Sequence, residues 1–114
     1  MVTLYSSPAR PAQFNRVMKA VGDPTRRRIL DLLAERDLPV GRIAGRFKIS
    51  RPAVIKHLHI LHSAKLVVVR ASGRERIQSL NAAPLQQMDV WLSRYEAFWE
   101  TSLQKLKHQI ESTP

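Results

Sequence analysis

Three histidines, His57, His59 and His62, stand close together in the segment SRPAVIKHLHILH, beside Arg51 and Lys56. Imidazoles can ligate a metal, move protons, or donate to phosphates and base edges, and the surrounding residue types decide between these roles. A zinc site takes three or four ligands. Here His59 and His62 are three apart, which puts them on neighbouring faces of a helix. No carboxylate lies on the segment, and the chain contains no cysteine, so neither a zinc site, a thiol nucleophile nor a disulfide is expected. A histidine or serine catalyst needs an acidic partner to orient it. Residues 40–80 hold a single acid, Glu75. The sequence predicts no enzyme and no cofactor.

What the segment offers instead is hydrogen-bond donors. Arg51 and Lys56 can donate to guanine O6 and N7 or to phosphate, and Ile55 can meet a thymine methyl group. The charge distribution points the same way. The 114 residues carry a formal charge of +10. Residues 1–39 hold seven basic and four acidic side chains, residues 40–80 nine and one, and residues 81–114 three and four. The excess lies in the middle third and implies a polyanionic partner, double-stranded nucleic acid before an anionic membrane surface. A solvated basic face kept for solubility is the plainer alternative.

The elements that must position these side chains follow from periodicity. Residues 1–10 lack a period and read as a flexible arm; residues 11–114 read as one domain. Phe14, Val17, Met18 and Val21 recur at three and four from Pro11 onward, an amphipathic helix. In GDPTRRRILDLLAER, Gly22 is a break, Asp23 an N-cap and Pro24 the first helical residue, and Ile29, Leu30 and Leu33 form an apolar stripe. Pro39 interrupts the pattern, and Ile43, Ala44 and Phe47 resume it over a helix of about eight residues. Ser50 caps the next helix and Pro52 fits its first turn. Two short helices across a tight turn suggest a helix-turn-helix. On a helical wheel of 51–65, Val54, Leu58 and Leu61 share the buried side while Pro52, Ile55, Lys56, His59 and Ser63 point away. His57 falls near the packed side.

LVVVRASGRERIQSL then reads as two β runs joined at Ser72-Gly73, with Arg70, Arg74 and Arg76 about the tip. From Pro84 the residues Leu85, Met88, Leu92, Tyr95, Trp99, Leu103, Leu106 and Ile110 recur at three and four, as one long helix or two nearly collinear ones. The longest aliphatic run, Leu66 to Val69, is far too short to span a bilayer, and the N-terminus lacks a signal-peptide pattern. A cytoplasmic location, away from membranes, is expected.

The order of elements and the motifs GDPTRRRILDLL, ISRPAVIKHLHILHSAKLV and ASGRERIQSL make the chain resemble the ArsR-type family of bacterial transcriptional repressors. The resemblance covers residues 11 to about 80 closely, and WLSRYEAFWETSLQKL is similar to a cysteine-free branch ending in a long aromatic helix. It implies a mainly α fold, a winged helix-turn-helix with a two-stranded β-hairpin wing and a long C-terminal helix. It further implies a homodimer that binds a pseudo-palindromic operator and represses transcription. Ser50, Arg51, Pro52, Ile55, Lys56, His57, His59, Arg70, Arg74 and Arg76 are the expected DNA-contact residues. Arg51, Ile55 and His59 depart from the common pattern of the family, so a target sequence does not carry over.

The aromatic row Trp91, Tyr95, Phe98 and Trp99 is too large for one small protomer to hide. A dimer seam of Phe14, Val17, Trp91, Tyr95, Trp99 and Leu103 is therefore expected. Some members of the family bind metal through acidic and histidine residues of the last helix. Here His108 and Glu111 have a ligand-like spacing, but Asp89 is followed by Val90 and Trp91, so the matching Asp-x-His pair is missing and no metal is expected. The sequence names no small-molecule effector. The rival readings are a protein-interaction module built on the aromatic helix and a non-specific DNA-coating protein.

Overall fold

The computed structural model describes residues 11–112, so the arm expected over residues 1–10 lies outside the described residues. Helix α1 (Pro11–Val21) turns Val17 and Ala20 fully inward. After Gly22, the Asp23 carboxylate accepts the N–H of Arg26 at 3.0 Å and starts α2 (Pro24–Glu35), with Pro24 at the first turn as the sequence predicts. The arginines that follow close the previous helix. Arg26 donates from Nε to the Ala20 carbonyl at 2.8 Å and from Nη2 to that of Lys19 at 3.0 Å, while Arg27 Nη1 reaches the Val21 carbonyl at 2.7 Å. These are carbonyls with no partner inside α1, at the negative end of its dipole, where a cation is favoured. The DPTRR segment is thus a staple between two helices.

Ile29, Leu30 and Leu33 of α2 enter the core as their spacing predicts. The chain then forms a two-residue strand β1 (Leu38–Pro39) and helix α3 (Val40–Ala44). The expected eight-residue helix is shorter because its end tightens to bonds three residues apart, Arg46 N–H to the Ile43 carbonyl and Phe47 N–H to the Ala44 carbonyl. Phe47 lies beyond the helix yet still packs against the core, with the Arg28 guanidinium 5.2 Å from its ring centre. Helix α4 (Arg51–Ser63) buries Val54, Leu58 and Leu61.

The end of α4 is fixed from several sides. Lys65 takes the left-handed conformation at φ +63, its N–H reaching the His62 carbonyl and that of Leu66 the Leu61 carbonyl, the paired bonds of a Schellman motif. Buried Gln13 of α1 donates to the Ala64 carbonyl at 2.7 Å. Strands β2 (Val67–Ser72) and β3 (Glu75–Leu80) follow as an antiparallel hairpin in which Ser72 pairs with Glu75. Its two-residue loop begins at Gly73, φ +62, a conformation glycine adopts freely. The hairpin predicted as two-stranded has a third member: β1 pairs with β3, giving the order β1-β3-β2. Pro39 is tolerated there because β1 is an edge strand and its missing N–H breaks no ladder.

Of the two arrangements open for the C-terminal segment, the structure has two helices, α5 (Leu85–Ser93) and α6 (Glu96–Glu111). At the break, Arg94 and Tyr95 N–H groups bond to carbonyls three residues back, and Tyr95 precedes α6 with no side-chain cap. Leu85 and Met88 pack on the core, but neither helix has a buried residue. The radius of gyration is accordingly 19.1 Å, against about 13 Å for a compact chain of this length. Among the described residues, no helix is long and apolar enough to cross a membrane.

Candidate nucleic-acid interface

Helix α4 begins at Ser50, whose Oγ accepts the Ala53 N–H at 3.2 Å, so this hydroxyl is engaged as a cap. Seating Val54, Leu58 and Leu61 in the core forces Arg51, Pro52, Ile55, Lys56 and His59 onto the exposed face. Between that face, α3 and the hairpin runs an open groove of about 770 Å³. Arg42 and Arg51 stand on its helical side, Arg74 and Arg76 on its hairpin side, and Ile55, Leu58 and Val69 lend it an apolar lining. His59 and His62 also line it, and Glu75 is the one carboxylate that does. Four guanidinium groups around a single acid create a concentrated positive potential in a concave surface.

Sequence reasoning missed Arg42. It sits on the helix preceding α4, beside buried Ile43, and a cation next to the core residue of so short a helix was the one signal that could have found it. The structure brings Arg51, Ile55, His59, Arg74 and Arg76 together at the groove, and leaves Pro52 and Lys56 exposed on the outer face of α4.

Two expected contact residues lie elsewhere. Arg70 pairs across the strands with Ile77, whereas Val69 pairs with Gln78 and Ala71 with Arg76. Because side chains alternate along a strand, Arg70 is on the face opposite Arg76, and its Nη2 meets the Asp37 carboxylate at 3.5 Å. His57 turns back toward α2, with Nδ1 3.2 Å from Arg26 Nη1 and 3.9 Å from Asp23 Oδ2. A guanidinium only donates, so this bond needs Nδ1 as acceptor and the proton on Nε2. The Asp23 carboxyl is held below the usual carboxylate range chiefly by the Arg26 N–H; burial works against this, and the charge of the Arg26 guanidinium assists. His57 therefore supports α4 from behind.

The expected dimer seam also divides. Val17 is fully buried within the protomer, since α1 must fill the space above α2 and α4, and it has no surface to give a partner. Phe14 packs on Trp91 at 6.2 Å between ring centres, and Trp91 on Tyr95 at 5.7 Å. Tyr95, Trp99 and Leu103 are exposed. Among the described residues, no three His, Cys, Asp or Glu side chains cluster around a position for one metal ion.

A recognition helix presented across a turn, with a basic hairpin beside its exposed face, defines a winged helix-turn-helix DNA-binding domain. Residues 23–68 match the model of the bacterial regulatory proteins of the arsR family. The chain is 42% identical over 81 residues to the transcriptional repressor SdpR of Bacillus subtilis, covering 71% of this chain and 90% of that one. It is 35% identical over 111 residues to the HTH-type transcriptional regulator Rv2034 of Mycobacterium tuberculosis, covering 97% and 95%. The solved structure of an ArsR-like transcriptional regulator from Rhodococcus superposes with a TM-score of 0.71 at 33% identity, over 90% of this chain and 94% of that one. The chain belongs to the arsR family and is a DNA-binding transcriptional regulator.

Proposed function

We propose that the protein is a homodimeric repressor that places α4 of each protomer in successive major grooves of a pseudo-palindromic operator, with the wings along the flanking backbone. The observation that carries this is the groove in which Arg42, Arg51, Arg74 and Arg76 surround one acid. Phosphate contacts by these cations supply affinity and position, while Arg51, Ile55, Lys56 and His59 on the exposed face of α4 supply discrimination among bases. The similarity to a repressor supports the direction of regulation. The exposed row Tyr95, Trp99, Leu103, Leu106 and Ile110 supports a second copy as the partner of α1, α5 and α6.

The test is selection of bound sequences from random duplex DNA, then titration of the selected site and of random duplex at several salt concentrations. Lys56→Ala is expected to compress the ratio between the two, since a base-edge contact is worth about 1–3 kcal/mol against the wrong base. Arg74→Ala weakens both nearly alike and lowers the salt slope by about one for a phosphate left without its cation. Equal binding of all duplexes would make the protein a DNA-coating factor. No duplex binding would leave an interaction module built on the aromatic helix.

A further inference from the structure

We propose that His62 is a positioning residue for the wing: by holding Gln78 it fixes the angle of the hairpin to α4 and so places Arg74 and Arg76 against the DNA backbone. This rests on the DNA-binding reading above and adds a specific determinant to it.

The hairpin is anchored at its base and free at its tip. At the base, Asn81 donates from its backbone N–H to the Leu66 carbonyl and from Nδ2 to that of Lys65, both at 2.8 Å. The short strand β1 pairs with Ile77 and Gln78, and beyond that point β2 and β3 pair with each other. Every residue of β2 after Val67 is exposed. On the side facing α4, His62 Nε2 lies 2.8 Å from Gln78 Oε1. Gln78 is 2% exposed and sits in the central strand, so its carbonyl oxygen has little access to water and depends on this donor. The contact joins the last turn of α4 to the first of the two levels, counted from the base, at which β1 makes the sheet three-stranded.

The consequence is mechanical. Arg76 is two residues beyond Gln78 on the same face, and the loop carrying Arg74 is about 13–17 Å away at strand rise. A rotation of about 10° about the base would move that loop by roughly 3 Å, as much as a whole charge-assisted hydrogen bond is long. An oxygen acceptor on Gln78 needs a proton on His62 Nε2, which the neutral Nε2–H tautomer and the imidazolium both provide. The link therefore holds in either charge state of His62.

The experiment compares salt slopes for duplex binding by wild type, H62L, H62Q, the pair R74A/R76A, and the triple H62L/R74A/R76A. Glutamine can present an N–H where Nε2 stood, so H62Q is expected to keep the wild-type slope. H62L is expected to lower the slope as far as R74A/R76A does, and the triple variant to lower it no further. If H62L folds poorly, the H62L/Q78L pair, which leaves no buried acceptor unpaired, carries the same expectation. A wild-type slope in folded H62L or H62L/Q78L, or losses that add in the triple variant, would overturn the proposal. A wild-type protein that binds no duplex would remove the DNA-binding reading itself, whereas sensitivity to R74A/R76A without sensitivity to His62 removes only the role of this histidine.

Discussion

Helices α4 and α6 carry the same kind of sequence signal and meet opposite fates. In α4 the residues Val54, Leu58 and Leu61 repeat at four and three, and all are at most 2% exposed. In α6 the residues Trp99, Leu103, Leu106 and Ile110 repeat at four, three and four, and none is less than 53% exposed. Periodicity states that a helix has a face to bury, and says nothing of whose surface will cover it. The difference lies in what surrounds each helix. Helix α4 is enclosed by α1, α2, α3 and the hairpin, which close a core around it. Helix α6 follows the break at Tyr95 and contributes no residue to that core.

Removing matched side chains from the two helices should have unequal effects. Leu61→Ala is expected to destabilise the fold by about 2–5 kcal/mol, since it empties a fully enclosed site. Leu106→Ala should leave the unfolding of a dilute protein nearly unchanged. Trp99→Glu should instead lower the molecular mass toward a monomer, because a charge is placed in the seam proposed for the second copy. Denaturant unfolding with mass measurement at micromolar concentration checks all three. A Leu106→Ala loss equal to that of Leu61→Ala, independent of protein concentration, would show that α6 packs on its own protomer.

The same contrast explains what was legible in the sequence. The α2 stripe, the buried side of α4, the caps at Asp23 and Ser50 and the positive φ of Gly73 are local consequences of residue type and lie where the pattern places them, while the loop itself is Gly73-Arg74, one residue later than Ser72-Gly73. Strand β1 was not legible, because two residues have no periodicity and Leu38 and Pro39 become a strand only by pairing with Gln78 and Ile77. The spacing does not decide between one C-terminal helix and two, because the apolar period continues across the break at Tyr95. The site divides along the same line. Exposure on α4 could be read from the wheel, whereas the face of Arg70 follows from strand register, and Arg42 reaches the groove through the packing of α3 on α4.

Polar support separates the two helices as well. The back of α4 rests through His57 on Arg26, and the Asp23 carboxylate accepts the Arg26 N–H in capping α2. At pH 7, Asp23→Ala is expected to cost about 1 kcal/mol, within the range of lost N-caps. Its folded-state pKa lies below the ordinary value of about 3.8. The stabilisation from the ionised group is therefore complete above that value and is lost as pH falls through the lower, folded-state value. Asp23→Asn keeps an acceptor of similar capping strength, so it should retain most of the stability at pH 7 while flattening this acid-side dependence. Urea titrations between pH 7 and pH 3 test the expectation; an Asn variant with an unchanged acid profile would place the dependence on other carboxylates.

The smallest expected effect is at the far end of α4, where Lys65 occupies a left-handed position that glycine commonly fills. A residue with a Cβ held there bears about 1–2 kcal/mol of strain. It persists here because the bonds around it are satisfied, Gln13 holding the Ala64 carbonyl and Asn81 that of Lys65. Lys65→Gly removes the strain, but the freer unfolded chain takes back about 0.4–1 kcal/mol. The Lys65 side chain is exposed, so little packing is lost with it. A net gain of roughly 0.5–1 kcal/mol is expected from these opposing effects. Helix α6 supplies the control, since it ends at Ser112 with φ −89, in the ordinary right-handed region. Ser112→Gly relieves no strain and should stabilise nothing. If the two glycine variants shifted the unfolding midpoint alike, the left-handed turn after α4 would be carrying no strain, and the close fixing of that end would have to come from its hydrogen bonds alone.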